Sequence, residues 1–314
     1  MTVQKGRTDS KRAAEVETRT TGVVDRAWHK ACLALARGEF ALGVALARKI
    51  GEESGTRSFG LGIQVVGAVG TGDIPTFDEA VNAIRTRSDL GEVVSAFLQL
   101  FLGEQGKLPS WFEQFNFRHL PLEERFGGGC LGVRLLFLRG EWRAVYAGAA
   151  TLLNFCEHEP LMNLFRTWLQ LVCAISLENQ GLREAAFEWY RQSVQWAQML
   201  DITLPFLDQP LGPRTLLEQV LSAEAPRLLV KIRRQSPGYF RNLQKFRNRF
   251  TGEQREEMLS PREVQLAHLL MADCGYKTIA ERMGISFSRV RNLISALYEK
   301  LGIHRRTDIS RRVW

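Results

Sequence analysis

The sequence predicts an all-α protein in two parts, a degenerate helical-repeat body followed by a compact C-terminal domain of short helices. Three observations carry this expectation. From Val23 to about Ala223, apolar residues recur at helical rather than alternating spacing. Short Gly-containing turns of one type interrupt that pattern. Finally, the last fifty-six residues, Leu259 to Trp314, carry helix start and stop signals in close succession.

Residues 1–22 are polar and charged and are expected to form a flexible arm. In the body, residues 23–223, Gly38-Glu39-Phe40 separates Ala27–Arg37 from Ala41–Ile50. Gly140-Glu141-Trp142 separates Leu131–Arg139 from Arg143–Leu153, and Gly181-Leu182-Arg183 separates Thr167–Asn179 from Glu184–Leu200. Each turn has small or apolar residues at helical spacing on both sides. That is the pattern of antiparallel helix pairs stacked as repeats, with a plain helical bundle as the alternative. The glycines between Gly51 and Gly72 match no dinucleotide fingerprint and are assigned to loops and close helix packing. Gly103-Glu104-Gln105-Gly106-Lys107 lacks phosphate-loop spacing, and Leu108 stands where a hydroxyl residue is needed. Residues 224–257 form a basic connecting segment in which Tyr239, Phe240, Phe246 and Phe250 interleave with Arg and Lys. The aromatics are expected to pack on the repeats while the cations stay solvated; a nucleic-acid-binding extension is the other reading.

Residues 258–314 form the C-terminal domain. Ser260-Pro261-Arg262-Glu263 is a helix start, in which Ser260 and Glu263 stand at capping-box spacing around a first-turn proline. Leu266, Leu269 and Leu270 then share one face. A short helix with Ile279, Ala280 and Met283 ends at Gly284. Ser286 caps a third helix, whose Val290, Ile294, Leu297 and Leu301 recur as an inward stripe. Ser288, Arg291, Asn292, Ser295 and Glu299 are left on the outward side. This is the layout of a helix-turn-helix with a basic reading helix. Arg donates bidentately to guanine and Asn pairs bidentately with adenine, so the outward face suits a major groove. Lys277, Ser288, Arg289 and Lys300 flank it as expected phosphate contacts.

Charge is distributed to match. Leu259–Trp314 has ten basic and five acidic residues, and Arg227–Met258 has nine and three. With +8 overall, the preceding residues carry −3. A basic end on a mildly acidic body fits an anionic partner at that end only. The five cysteines, Cys32, Cys130, Cys156, Cys173 and Cys274, form no close pair. Cys156 and Cys173 lie in apolar surroundings, as packing residues do. Their usage fits a reducing compartment and speaks against a metal cage. No secretory leader or span-length apolar run is read, so a membrane partner is not expected. The five histidines are scattered. His158, beside Glu157 and Glu159, precedes Pro160 in an expected turn. No catalytic motif is found, so neither an enzyme nor a bound cofactor is expected.

The run Leu259-Ser260-Pro261-Arg262-Glu263, Lys277, Ile279-Ala280-Glu281, Gly284-Ile285-Ser286, Val290, Tyr298, Lys300-Leu301-Gly302 and Arg306-Thr307 resembles the LuxR/GerE-type helix-turn-helix family of bacterial regulators. The resemblance implies that Arg291, Asn292 and Ser295 face base edges and that Lys277, Arg289 and Lys300 lie near phosphates. Asp273, Arg289 and Leu293 depart from the residues usual there, Gly, Thr and His. The last helix, from Thr307, is expected to be shorter than usual. Upstream, Gly181 to Ala186, Leu204-Pro205-Phe206-Leu207-Asp208, Leu216-Leu217, Tyr239-Phe240, Leu243 and Phe246 resemble the tetratricopeptide-type region of MalT-like regulators, which precedes a LuxR-type domain. The nucleotide-binding module of those proteins is not found.

These readings lead to a sequence-specific transcriptional regulator acting on double-stranded DNA in the cytoplasm, at the nucleoid. The repeats are expected to take a protein or small-molecule effector and to supply the main self-association surface of a homodimer. RNA polymerase is a candidate partner. The alternative is a helical-repeat adaptor whose C-terminal domain docks protein.

Overall fold

The computed structural model describes residues 27–50, 57–87, 90–102, 108–158, 163–207, 209, 215–252, 259–271 and 274–309. The expected N-terminal arm, the Gly103–Lys107 run, the His158 side chain and most of the segment after Thr307 lie outside the described residues. All regular structure among the described residues is helical. The chain forms two compact units, Met1–Val94 and Ser95–Trp314. This division falls inside the stretch read as one helical-repeat body.

The first unit contains α1 (27–36), α2 (Phe40–Ile50), α3 (Arg57–Thr71) and α4 (Ile74–Thr86), packed in sequence order. The expectation of loops between Gly51 and Gly72 is corrected, because residues 57–71 are helix. The expectation of close packing is met. A Cβ on Gly70 would stand 2.1 Å from the Phe40 ring, and one on Gly67 would stand 2.4 Å from Val44 Cγ2. Glycine here admits a neighbouring helix, and the helical spacing of Ile63, Val66 and Val69 offsets its poor propensity.

The second unit begins within α5 (Glu92–Leu102). It continues through α6 (Ser110–Glu113), α7 (Leu122–Arg139), α8 (Trp142–His158), α9 (Asn163–Asn179) and α10 (Arg183–Leu200). The three turns read from sequence share one geometry. Gly38, Gly140 and Gly181 take φ of 75°, 71° and 83°. In each, the glycine amide and the amide after it close back on the preceding helix, as in Gly181 N to Glu178 O and Leu182 N to Leu177 O. This left-handed cap satisfies carbonyls that the helix end would otherwise leave unpaired. It turns the chain sharply, so α7 packs on α8, α8 on α9 and α9 on α10. Ser193 Oγ donates to Thr167 O at 2.8 Å, and the Ser176 hydroxyl donates to the Trp142 carbonyl. These bonds hold neighbouring helices in register where small residues bring them close. Cys156 and Cys173 are both fully buried, as expected of packing residues.

A 3-10 turn, Leu204–Phe206, leads to α11 (Leu216–Glu224) and the 26-residue α12 (Pro226–Thr251). Phe206, Leu207, Leu216, Leu217, Tyr239, Leu243 and Phe246, all quoted in the second resemblance, are buried. Along α12 the stripe Leu228, Leu229, Ile232, Tyr239, Leu243, Phe246 and Phe250 faces inward. Arg227, Arg233, Arg234, Arg241, Lys245 and Arg249 stay exposed. The aromatics of this segment thus pack inward as expected, with Phe240 half-buried. Glu218, buried, accepts from Arg233 at 2.6 Å, which ties α11 to α12.

Candidate nucleic-acid interface

Among the described residues, three α-helices make the C-terminal domain: α13 (Pro261–Met271), α14 (Tyr276–Met283) and α15 (Phe287–Leu301). Its core is self-contained. Leu266, Ala267, Leu269 and Leu270 of α13 meet Ile279 and Met283 of α14 and Val290, Ile294 and Leu297 of α15, closed by Leu259, Ile303 and Ile309. The inward stripe read from sequence is therefore this core, with Leu301 half-buried at its edge.

The caps form as the sequence indicates. Ser260 N donates to Glu263 Oε2 at 2.5 Å, and Glu263 N donates to Ser260 Oγ at 3.3 Å, a reciprocal capping box. Gly284, at φ 62°, closes α14. Ser286 Oγ accepts from Arg289 N at 3.3 Å, starting α15. Arg306 donates to the carbonyls of Leu270, at 2.6 Å, and Cys274, at 3.1 Å, and so completes the C-terminal end of α13. Its place in the quoted motif is structural.

With the core on one side, α15 turns Ser288, Arg289, Arg291, Asn292 and Ser295 to solvent, all exposed. Ser288, Asn292 and Ser295 recur at spacings of four and three, and Arg291 lies beside them, so one helix face presents the three expected base-reading residues together. Lys277 is exposed on the first turn of α14. Lys300 is placed differently from the expectation. Its ammonium sits 3.3 and 3.1 Å from the two Glu263 oxygens, and the two side chains keep 16% and 17% exposure. It joins α15 to the start of α13 and belongs to the framework. Burial pushes the Glu263 carboxyl up, but the hydrogen bonds from Ser260 and the Lys300 ammonium outweigh it and hold the group below its ordinary range.

Two features escaped the sequence reading. Arg282, on α14, donates to Asn179 O at 2.7 Å and to Cys274 Sγ at 3.6 Å. It thereby fastens the C-terminal domain to the α9–α10 turn, where a Cβ on Gly181 would come within 3.8 Å of its Nη2. Beside Arg282 lies Glu178, whose carboxyl burial raises and whose oxygen accepts from Tyr190 Oη at 2.6 Å. Nothing in sequence spacing links residues 179 and 282. The second feature is an exposed aromatic pair, Tyr276 and Phe287, at 40% and 53% exposure, with ring centroids 6.0 Å apart. Sequence marked the outward face by its polar residues and passed over the aromatics at its edge.

A helix-turn-helix with a capped, basic, solvent-facing third helix is a DNA-binding module. In agreement, residues 257–313 match the model of the luxR family of bacterial regulatory proteins, so the C-terminal domain is a LuxR-type helix-turn-helix of a DNA-binding transcription regulator. That family is one of non-enzymatic DNA-binding regulators. No curated protein and no solved structure matches the chain. Among the described residues, no helix is long and apolar enough to cross a membrane.

Proposed function

We propose that this protein is a sequence-specific regulator of transcription that places α15 in the major groove of double-stranded DNA. Arg291, Asn292 and Ser295 then contact base edges, while Lys277, Ser288 and Arg289 hold the phosphates on either side. The observation that carries this reading is the common exposure of Arg291, Asn292 and Ser295 on one face of α15, away from the stripe that fills the domain's core. The helical body serves as the effector or partner domain and supplies the main self-association surface. A single helix-turn-helix reads only a few base pairs, so two copies on paired half-sites about one helical turn apart give useful specificity. The successive packing of α7 through α12 on one another, as in helical-repeat proteins, supports this division of labour.

Selection of sites from random-sequence DNA by the full-length protein, followed by mobility-shift titration, tests the reading. Recovery of one recurrent sequence, bound well above random DNA, is expected. Enrichment of no sequence would refute it.

A further inference from the structure

Most exposed residues of the reading face are polar, and their partners in a groove follow from their chemistry. One residue on the same stripe is not polar. Phe287 is the first residue of α15 and lies one helical turn before Arg291, which itself lies one turn before Ser295. The three therefore form a single row along the helix, and the N-terminal turn of a reading helix is the part that enters deepest among base edges.

The ring is exposed and takes no part in the domain's apolar core. It rests against Tyr276, at the first residue of α14, in a tilted arrangement with centroids 6.0 Å apart. Among the described residues of this domain, these two are the large apolar side chains left exposed. The Tyr276 ring stands behind Phe287 at contact distance. Cations border the pair, Lys277 following Tyr276 and Arg289 standing on the first turn of α15, and both are exposed. An apolar spot framed by cations matches a polyanion that displays an apolar group in its groove. In the major groove that group is the C5-methyl of thymine, the one apolar feature of the base-pair edges.

We propose that Phe287, backed by Tyr276, is a specificity-determining residue that packs on a thymine methyl at the outer edge of the sequence read by Arg291 and Asn292. The inference rests on the DNA-reading function proposed above. It adds a base preference that the polar residues do not supply, because Phe has no hydrogen bond to offer and distinguishes thymine from cytosine and from uracil by the methyl group alone.

Replacing thymine by deoxyuridine removes that methyl and leaves the hydrogen-bonding edge intact. Full-length protein is titrated against its selected duplex and against duplexes carrying one deoxyuridine at each thymine in turn. Wild-type protein is expected to lose about fourfold in affinity at one thymine per half-site, the loss appropriate to one buried methyl. Phe287→Ala is expected to bind the parent duplex more weakly and to become indifferent to that substitution. Phe287→Leu keeps an apolar side chain and is expected to retain part of the sensitivity. Circular dichroism of each variant reports its fold, which the exposed position should leave unchanged. The proposal is overturned if the variant keeps the wild-type sensitivity, or if every deoxyuridine is tolerated while Phe287→Ala weakens selected and random DNA alike. That second pattern places the rings on the sugar–phosphate backbone. Failure to select any sequence, with Arg291→Ala binding as wild type does, instead removes the DNA-reading function on which this inference stands.

Discussion

Replacing Lys300 by methionine separates a framework role from a DNA-contacting one. Methionine keeps the aliphatic stem and removes the ammonium, leaving Glu263 with only 17% exposure and no cation at 3.1 Å. Exposed ion pairs contribute about 0–1 kcal/mol, and breaking a fully buried one costs about 3–5 kcal/mol. This pair lies nearer the buried limit, so a loss of about 2 kcal/mol is expected. Glu263→Ala removes the same pair and also the acceptor for Ser260 N, which adds about 1 kcal/mol for the lost cap. The two changes share a partner, so the double variant should lose less than the two single losses combined. Urea unfolding of the fragment Gly252–Trp314, followed by circular dichroism, reads these differences, since its core comes from residues 259–309. Salt titration of DNA binding supplies the second readout. Lys300→Met in the full chain should leave the slope of log affinity against log salt unchanged, whereas Lys277→Ala should reduce it by about one phosphate's share. A fragment of unchanged stability together with a shallower salt slope for Lys300→Met would refute the reasoning and return Lys300 to the phosphate contacts.

Further expectations follow from the same geometry. The Glu263 carboxyl is held below its ordinary value of 4.5, so its contribution is complete above that pH and is lost as pH falls through the lower folded-state value. Glu263→Gln should therefore flatten the acid limb of the fragment's stability profile, measured by urea midpoints from pH 3 to 6. Arg282→Ala removes the bond to Asn179 O and should free the DNA-binding domain from the α9–α10 turn. Hydrogen exchange at the two sides of that contact should rise while the domain's core amides keep their protection, and unchanged exchange would contradict the coupling. Gly70→Ala places a Cβ 2.1 Å from the Phe40 ring and should destabilise the first unit by roughly 1–3 kcal/mol, with a lowered melting transition as the measure. Gly252–Trp314 should be monomeric by light scattering and bind DNA more weakly than the full chain, and a dimeric fragment would move self-association to the C-terminal end.

The C-terminal domain was legible because its signals are local. Ser260 with Glu263, the Ser286 cap and the helix-ending Gly284 act within four residues of themselves, and each appears in the structure at the residue read. The helical turns at Gly38, Gly140 and Gly181 were legible for the same reason, since a left-handed cap is a local requirement that glycine meets. Helix α3 was not, because six glycines between Gly51 and Gly70 argue for loop by propensity. Tertiary contact decided otherwise: Gly67 and Gly70 take their places against Val44 and Phe40. The Lys300–Glu263 pair was not legible because the two residues stand thirty-seven apart, and a basic residue near a reading helix gives no sign of being already paired. Arg282 escaped notice for a stronger version of that reason, its acceptor being 103 residues distant.

The central claim is that the exposed row on α15 reads base sequence. Mobility-shift titration of wild type, Arg291→Ala and Lys277→Ala, on selected and random duplexes at one fixed salt concentration, tests it directly. Arg291→Ala should lose about 1–3 kcal/mol on the selected duplex, with little change on random DNA, and should relax preference at one base pair. Lys277→Ala should weaken both duplexes by similar factors. An Arg291→Ala variant that loses the same factor on both duplexes would contradict the claim and reduce α15 to a phosphate-binding helix.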